Sequence, residues 1–319
     1  MIGRVTQQTT QRSTLANLQK NLAVMADLQN KLSGNTKISK PSDDPAGTAS
    51  AMTLRAELRA NTQASRNIDD GNGWLTTADT ALSSSLDALR QARDLTVQGA
   101  NSGALNPQAR EALAVQLEAL RETLLSQANT TYQGRHVFAG TSNATDAVTI
   151  VPADPAVLGS TATYTMNGTG DPVNRRVDAN TLIRVDVNGA DAFGPVTESG
   201  SVATSDLASA SASVFTTLDR IAKTLRTGGN VSPELATLDK HRDAMITALG
   251  GVGARQAQVL GAETRALATK TELTTQLSSL EDVDLAASVV ELQMQEVAYK
   301  AALGATSRVL QPSLLDFLR

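Results

Sequence analysis

Near the start of the chain, Leu15, Leu18, Leu22, Met25 and Leu32 recur at steps of three, four, three and seven. Near its finish, Val289, Leu292, Tyr299, Leu303 and Leu310 recur at steps of three, seven, four and seven. Such steps place side chains on one stripe of a helix. A stripe kept near a seven-residue period is a coiled-coil seam, which packs on another helix. Each predicted helix carries too much apolar surface to stand alone, since burying one such leucine is worth roughly 1.5–3 kcal/mol. These residues are therefore read as an assembly interface. Its partner is the opposite end of the chain, a neighbouring subunit, or both. In an isolated monomer the ends are expected to be mobile. Gln29 and Glu296 interrupt the stripes with polar groups that can set register.

Between the ends, proline punctuates the pattern. It is absent from residues 1–40, 46–106, 108–151 and 234–311. Pro41 and Pro45 lie in KPSDDPAG, a turn-rich break after the first helix. A second helix is expected from Ala46 to Gln98, with Leu75, Ala78, Leu82, Leu89 and Ala92 on one stripe and a candidate interruption at NIDDGNG. Asn106 and Pro107 suit the N-cap and first position of a third helix, whose stripe is Leu113, Leu117, Leu120 and Leu124. From His136 to Ser205 the period changes to two. Ile183, Val185 and Val187 alternate with Arg184 and Asp186, and Tyr164 and Met166 with Thr163 and Thr165. Asn167-Gly168 and Asn188-Gly189 read as hairpin turns. Helix returns near residue 209 with Val214, Leu218, Ile221 and Leu225. Ser232, Pro233 and Glu234 then read as the N-cap, first position and first-turn acid of a long helix carrying Met245, Leu249, Val252 and Val259, weakened at Gly250, Gly251 and Gly253, and LEDVDLA resets the chain before the last helix.

The fold class expected is mainly α: an elongated helical bundle or coiled coil built from both chain ends, with a small inserted β domain. Residues 1–45 and 285–319 form an inner assembly domain, 46–135 and 206–284 a helical rod, and 136–205 the insertion. Replacing residues 142–200 by a short linker is expected to leave the helical part intact.

Composition narrows the function. The chain has 319 residues, only 3% of them aromatic, and one tryptophan, Trp74. Its net charge is −4, with both signs interspersed, so no basic stripe points to nucleic acid. The absence of cysteine excludes disulfides, thiolate metal sites and a cysteine nucleophile. No apolar run is long enough to span a membrane, and the start lacks the apolar core of a cleaved signal peptide. The histidines, His136 and His241, lack metal-ligand spacing and are read as packing or surface residues. HExxH, GxSxG and phosphate-loop motifs are absent. The stretch from Asp186 to Asp191 departs from a calcium loop at Ala190, and the acidic pairs Asp43-Asp44 and Asp69-Asp70 read as turn and cap chemistry. No enzyme activity, cofactor or metal is expected. Asn129, Asn143 and Asn167 begin N-x-T triplets, which arise often by chance in so threonine-rich a chain.

Several segments carry a family resemblance. The ending LEDVDLAASVVELQMQEVAYKAALGATSRVLQPSLLDFL resembles the C-terminus of bacterial flagellins and their junction relatives. KISKPSDDPAGTASAMTLRAEL is similar to the family's first interhelix break, and NIDDGNGWLTTADTALSSSLDALRQARDLTVQGAN to its long second helix. TYQGRHVFAGT, MNGTGDPVNRRVDANTLIRVDVNGADAFG and SVFTTLDRIAKTLRTGG resemble the members that stand between hook and filament. The resemblance implies a structural adaptor, secreted unfolded through the flagellar type III export route and located in the flagellum at the hook–filament junction. The partners it implies are the first hook-associated protein, flagellin, further copies of the chain, and the export chaperone and apparatus. A filament flagellin is the alternative within the family; a secreted or cytosolic coiled-coil binding protein is the alternative outside it.

Overall fold

The structure, a computed structural model, describes residues 7–101, 106–151, 162–168, 171–194 and 213–309. Helices α1 (Gln7–Gly34), α2 (Pro45–Ala100) and α3 (Pro107–Ala128) come first. Strands β1 (Thr131–Tyr132), β2 (Arg135–His136), β3 (Val148–Val151), β4 (Thr163–Met166), β5 (Asn174–Arg176) and β6 (Leu182–Arg184) follow. The short α4 (Gly189–Phe193) leads to α5 (Val214–Thr227), α6 (Ser232–Glu281) and α7 (Leu285–Val309). The chain divides into two compact units, Met1–Ala60 with Thr269–Arg319, and Asn61–Ala268. The expected class is met: long helices from both ends, with small antiparallel strand pairs between them.

In the larger unit the helical stripes lie where the spacing predicts. Leu75, Ala78, Leu82, Leu89 and Ala92 of α2 are buried, as are Leu113, Leu117 and Leu124 of α3 and Val214, Leu218, Ile221 and Leu225 of α5. Asn106 caps α3 by accepting from the Ala109 N–H at 2.7 Å, with Pro107 at the first position. Helices α3 and α5 run antiparallel, with Arg226 bonded to Glu111 and Glu118, and Arg121 paired with Asp219. The described helix begins at Val214, capped by the Ser213 hydroxyl; residue 209 lies outside the described residues. Gly228, at φ 75°, closes α5 in the left-handed region open to glycine.

NIDDGNG does not interrupt α2. Gly73 sits where any side chain would overlap the Tyr132 phenol, and a Cβ on Gly71 would lie 3.1 Å from Val185. These glycines let the strand region approach the helix, and that packing outweighs their poor helix propensity. Asp70, expected in a turn, pairs with Arg175. Helix α6 likewise runs unbroken through Gly250, Gly251 and Gly253. It begins at Ser232 itself, whose N–H is taken by the Asn230 side chain at 2.9 Å, so the capping role expected of Ser232 falls to Asn230.

The strands form three separate two-stranded ladders, β1–β2, β3–β4 and β5–β6. Neither Asn-Gly pair makes a hairpin turn. Gly168 and Gly189 both stand against the Phe138 carbonyl, where a Cβ would lie 3.0 Å from the oxygen, and Asn188 caps α4. The tight hairpin is β1–β2, turned by Gln133 and Gly134 at φ 49° and 77°, the positive values a two-residue turn needs. Asp186 is buried, contrary to its polar alternation. It accepts from the Val173 N–H at 2.9 Å and from both Arg184 Nε and Nη2, which explains it without a cation.

The strand region is not separable from the helices. Tyr164 of β4 stacks on Phe215 of α5 with ring centroids 5.3 Å apart, and Phe193 stacks on the same Phe215 at 5.8 Å. The Tyr164 hydroxyl donates to Asp219 at 2.6 Å, and burial together with that carboxylate pushes the phenol far above its ordinary value. Asn129, at the end of α3, bonds both backbone groups of Val148. One continuous apolar core therefore joins α2, α3, α5, α6 and the strands, and removing residues 142–200 would strip its aromatic centre.

Phe215→Ala is expected to cost about 3–5 kcal/mol. Far-ultraviolet dichroism and Trp74 fluorescence should lose structure together in one transition. Separate melting of strand region and helices would show two cores. A second expectation concerns His241, buried against Thr217. Burial, with Arg220 nearby, depresses its imidazole from 6.5 to about 4. The unfolded chain takes up this proton below about pH 6.5 and the folded ring only near 4. Stability should therefore fall by up to about 3 kcal/mol as pH drops through that interval. His241→Gln should remove that part of the slope in chemical denaturation at pH 7 and 4.5.

Candidate assembly surface

The smaller unit is built on α1 and α7. Thr36 bridges Asp282, and the Lys37 N–H donates to the Glu281 carbonyl at 2.6 Å. Farther along, the Gln295 amide donates to the Asn21 carbonyl at 3.4 Å. Contacts therefore move back along α1 as they advance along α7, so the two helices are antiparallel. The turn between α1 and α2 is held by its acidic pair. Asp43 accepts from the Ser39 hydroxyl and the Ser39 and Lys40 N–H groups, which hold its carboxyl below the ordinary range. Asp44 caps α2 through the Gly47 N–H at 2.9 Å, and any side chain on Gly47 would overlap that carboxylate. Asp284 caps α7 through the Ala286 and Ala287 N–H groups.

Half-buried positions mark the seam. On α1 they include Thr14, Leu18, Asn21, Met25, Leu28 and Leu32; on α7, Ser288, Leu292, Gln295, Tyr299, Ala302 and Thr306. Both sets step alternately by four and three, the seven-residue repeat of a two-helix coiled coil. Among the residues expected at the interface, Leu18, Met25, Leu32, Leu292 and Tyr299 line this seam. Leu15, Leu22, Val289 and Leu303 flank it and are exposed. Leu310 lies outside the described residues. The expected polar interruptions shift as well. Gln29 is exposed and Glu296 shares the flanking column of Val289 and Leu303, while inside the seam the amide of Gln295 meets Asn21 and the hydroxyl residues Thr14, Ser288 and Thr306 take further positions.

The face that spacing at the C-terminal end missed is on the far side of α7. Val290, Met294 and Val297 are 55%, 62% and 66% exposed, and Ala301 continues their stripe. Helix α7 is thus apolar on two faces, and only one of them meets α1. Elsewhere, His136 has its ring nitrogens 3.0 and 2.8 Å from the carbonyl oxygens of Asn129 and Thr145, a packing role at the β1–β2 hairpin. No cluster of three metal-ligating side chains occurs among the described residues, and no described helix is long and apolar enough to cross a membrane.

A chain whose two ends pair as helices, with further apolar helix surface beside the pair, is a subunit shaped for helix-to-helix association. Comparison with known proteins identifies the kind. The bacterial flagellin N-terminal helical region matches residues 5–143 and the C-terminal helical region matches residues 235–318, together well over half of the chain. The chain belongs to the bacterial flagellin family. It is 26% identical over 313 residues to flagellar hook-associated protein 3 of Salmonella typhimurium, covering 94% of each. It is also 26% identical over 306 residues to a flagellin of Bacillus subtilis, covering 91% of this chain and 90% of that one. Its fold is similar to that of FlgL from Xanthomonas campestris, with TM-score 0.58, 19% identity, and coverage of 70% of this chain and 99% of that one. Flagellar hook associated protein-3 from Legionella pneumophila gives TM-score 0.59 at 16% identity, covering 72% and 98%.

Leu292→Asp, which places a charge inside the seam, should unpair α1 from α7 within the monomer. Hydrogen exchange should then accelerate in both helices and stay slow in the larger unit. Unchanged exchange in α1 would show that the seam does not hold the pair together.

Proposed function

We propose that this protein is a structural adaptor of the bacterial flagellum, standing between hook and filament. The observation that carries the reading is α7, apolar on two faces with α1 covering only one. Further copies of the chain cover the other face and the flanking residues Leu15, Leu22, Val289 and Leu303, while the seam residues Leu18, Met25, Leu32, Leu292 and Tyr299 hold the pair that presents them. The hook-side neighbour is the first hook-associated protein and the filament-side neighbour is flagellin. Full-length similarity to a hook-associated protein 3 supports this position. Export through the flagellar channel, with its chaperone, delivers the chain unfolded; a sequence without cysteine suits passage without cross-links. In this reading the protein works by geometry, its paired ends packing against those of neighbouring copies.

Two experiments test it. A strain lacking the protein should carry bare hooks and shed flagellin into the medium, as seen by electron microscopy. Filaments of normal length on unaltered hooks would overturn the junction role, and loss of filament mass with hooks still capped by junction protein would select a filament subunit instead. Met294→Asp should leave the monomer's helical signal and melting temperature within error yet abolish swimming, because the charge enters the contact between copies. Normal motility with the variant present at the hook tip would remove α7's second face from the interface.

A further inference from the structure

The chain has two histidines, and they sit in opposite surroundings. His241 is buried beside Thr217, and burial with Arg220 nearby depresses its imidazole to about 4, so this ring is neutral at pH 7. His136, on β2, is half-buried and lies between two backbone carbonyls. Its Nδ1 is 3.0 Å from the Asn129 oxygen at the end of α3, and its Nε2 is 2.8 Å from the Thr145 oxygen. Both neighbours are acceptors with no proton to give.

A neutral imidazole carries one N–H and one bare nitrogen, whichever tautomer it adopts. Either tautomer aims a nitrogen lone pair at a carbonyl lone pair across a hydrogen-bond distance. Only the doubly protonated ring donates to both oxygens. A hydrogen bond from a charged donor is also roughly twice as strong as a neutral one. The contacts of His136 are therefore those of an imidazolium.

The ring holds the entry to β3. The four successive carbonyls from Thr145 to Val148 each accept from a residue elsewhere in the chain. His136 bonds Thr145, the Asn167 side-chain amide donates to Asp146 at 2.9 Å, the Asn167 N–H donates to Ala147 at 2.8 Å, and the Asn129 amide donates to Val148 at 3.1 Å. Asn129 thus anchors both ends of the clamp, His136 by its main chain and Val148 by its side chain. The strand so placed pairs with β4, whose Tyr164 stacks on Phe215. Other charged or titratable groups close to the ring in the chain are turned elsewhere. Arg135 lies over the Trp74 ring and reaches the Gly140 carbonyl, and the Tyr132 hydroxyl accepts from Gln133. Asp146 offers its main-chain oxygen to Asn167. Among the described residues the ring's hydrogen bonds run to main-chain oxygens and to no carboxylate.

We propose that His136 is a pH-sensitive latch: as imidazolium it ties the end of α3 to the entry of β3 through the Asn129 and Thr145 carbonyls, and on losing a proton it releases one of them. The inference stands apart from the assembly role and does not depend on it. Its sign follows from the bonding form. The charged ring makes both bonds, so the latch is closed in acid and opens as pH rises. His241 acts in the reverse sense, because its protonation destabilises the fold.

Nitrogen-15 spectroscopy of the two histidine rings in the full chain tests it, with His241→Gln assigning the signals. At about pH 7 the His136 ring should show two protonated nitrogens, and His241 one protonated and one bare. A bare nitrogen on His136 at that pH overturns the proposal. Hydrogen exchange then reads whether the proton holds the strand. After correction for intrinsic rates, exchange across residues 145–148 should be about tenfold or more faster at about pH 9 than at about pH 6, while α3 and α5 stay slow. His136→Phe keeps a ring without donors and should exchange fast there at both pH values. Equal protection of residues 145–148 in the unsubstituted chain at the two pH values, or unchanged protection in His136→Phe, likewise overturns the latch.

Discussion

Apolar surface on two sides of one helix needs two partners, and α7 finds the first of them in α1. The seam between them is economical. Leu18, Met25, Leu28, Leu32, Leu292 and Tyr299 supply its larger apolar side chains, and the other positions are small or polar, as at Thr14, Asn21, Ser288 and Gln295. A pair so built gains little from its own closure, and its outward apolar residues remain in water. The backbone contacts at its base, Thr36 to Asp282 and Lys37 to Glu281, fix which residues meet. The pair is therefore defined in register yet leaves apolar residues of both helices exposed.

The larger unit solves the opposite problem. It buries nearly everything apolar that its stripes carry, and it concentrates the scarce aromatics. Among the described residues, every aromatic side chain except Tyr299 belongs to or packs against this core. Phe215 is its hub, stacked between Tyr164 and Phe193, with Phe138 edge-on to Phe193. The Tyr164 hydroxyl and Arg121 both engage Asp219, so a polar anchor ties β4, α3 and α5 at the same place. Strand pairs of two to four residues could not stand by themselves; they persist because these rings lock them onto helices.

Glycine marks where the strand region and α2 approach most closely. At Gly71, Gly73 and Gly189 the neighbour is visible, and substitution would meet Val185, Tyr132 or Met166. At Gly250, Gly251 and Gly253 a side chain would meet nothing within 4 Å among the described residues. The same residue type is thus explained by close packing in one place and meets open space in the other.

Helix periodicity was legible wherever burial depends on local spacing. The stripes of α2, α3 and α5, the Asn106 cap, the acidic turn at Asp43-Asp44 and the break before α7 all follow from residues a few positions apart, and helix geometry converts such spacing directly into a face. Family membership was legible for a related reason, since long helical motifs occur in order at both ends. What spacing could not decide was which of two adjacent columns a partner covers. Leu15 and Leu18, or Val289 and Leu292, lie on neighbouring columns of one apolar band, and only the antiparallel placement of α1 on α7 sends one inward and leaves the other exposed. Nor could it separate a glycine that turns the chain from one that admits a neighbour, as at Gly73, Gly168 and Gly189. Those outcomes depend on atoms distant in sequence, so the sequence determined the faces and the tertiary structure decided what each face meets.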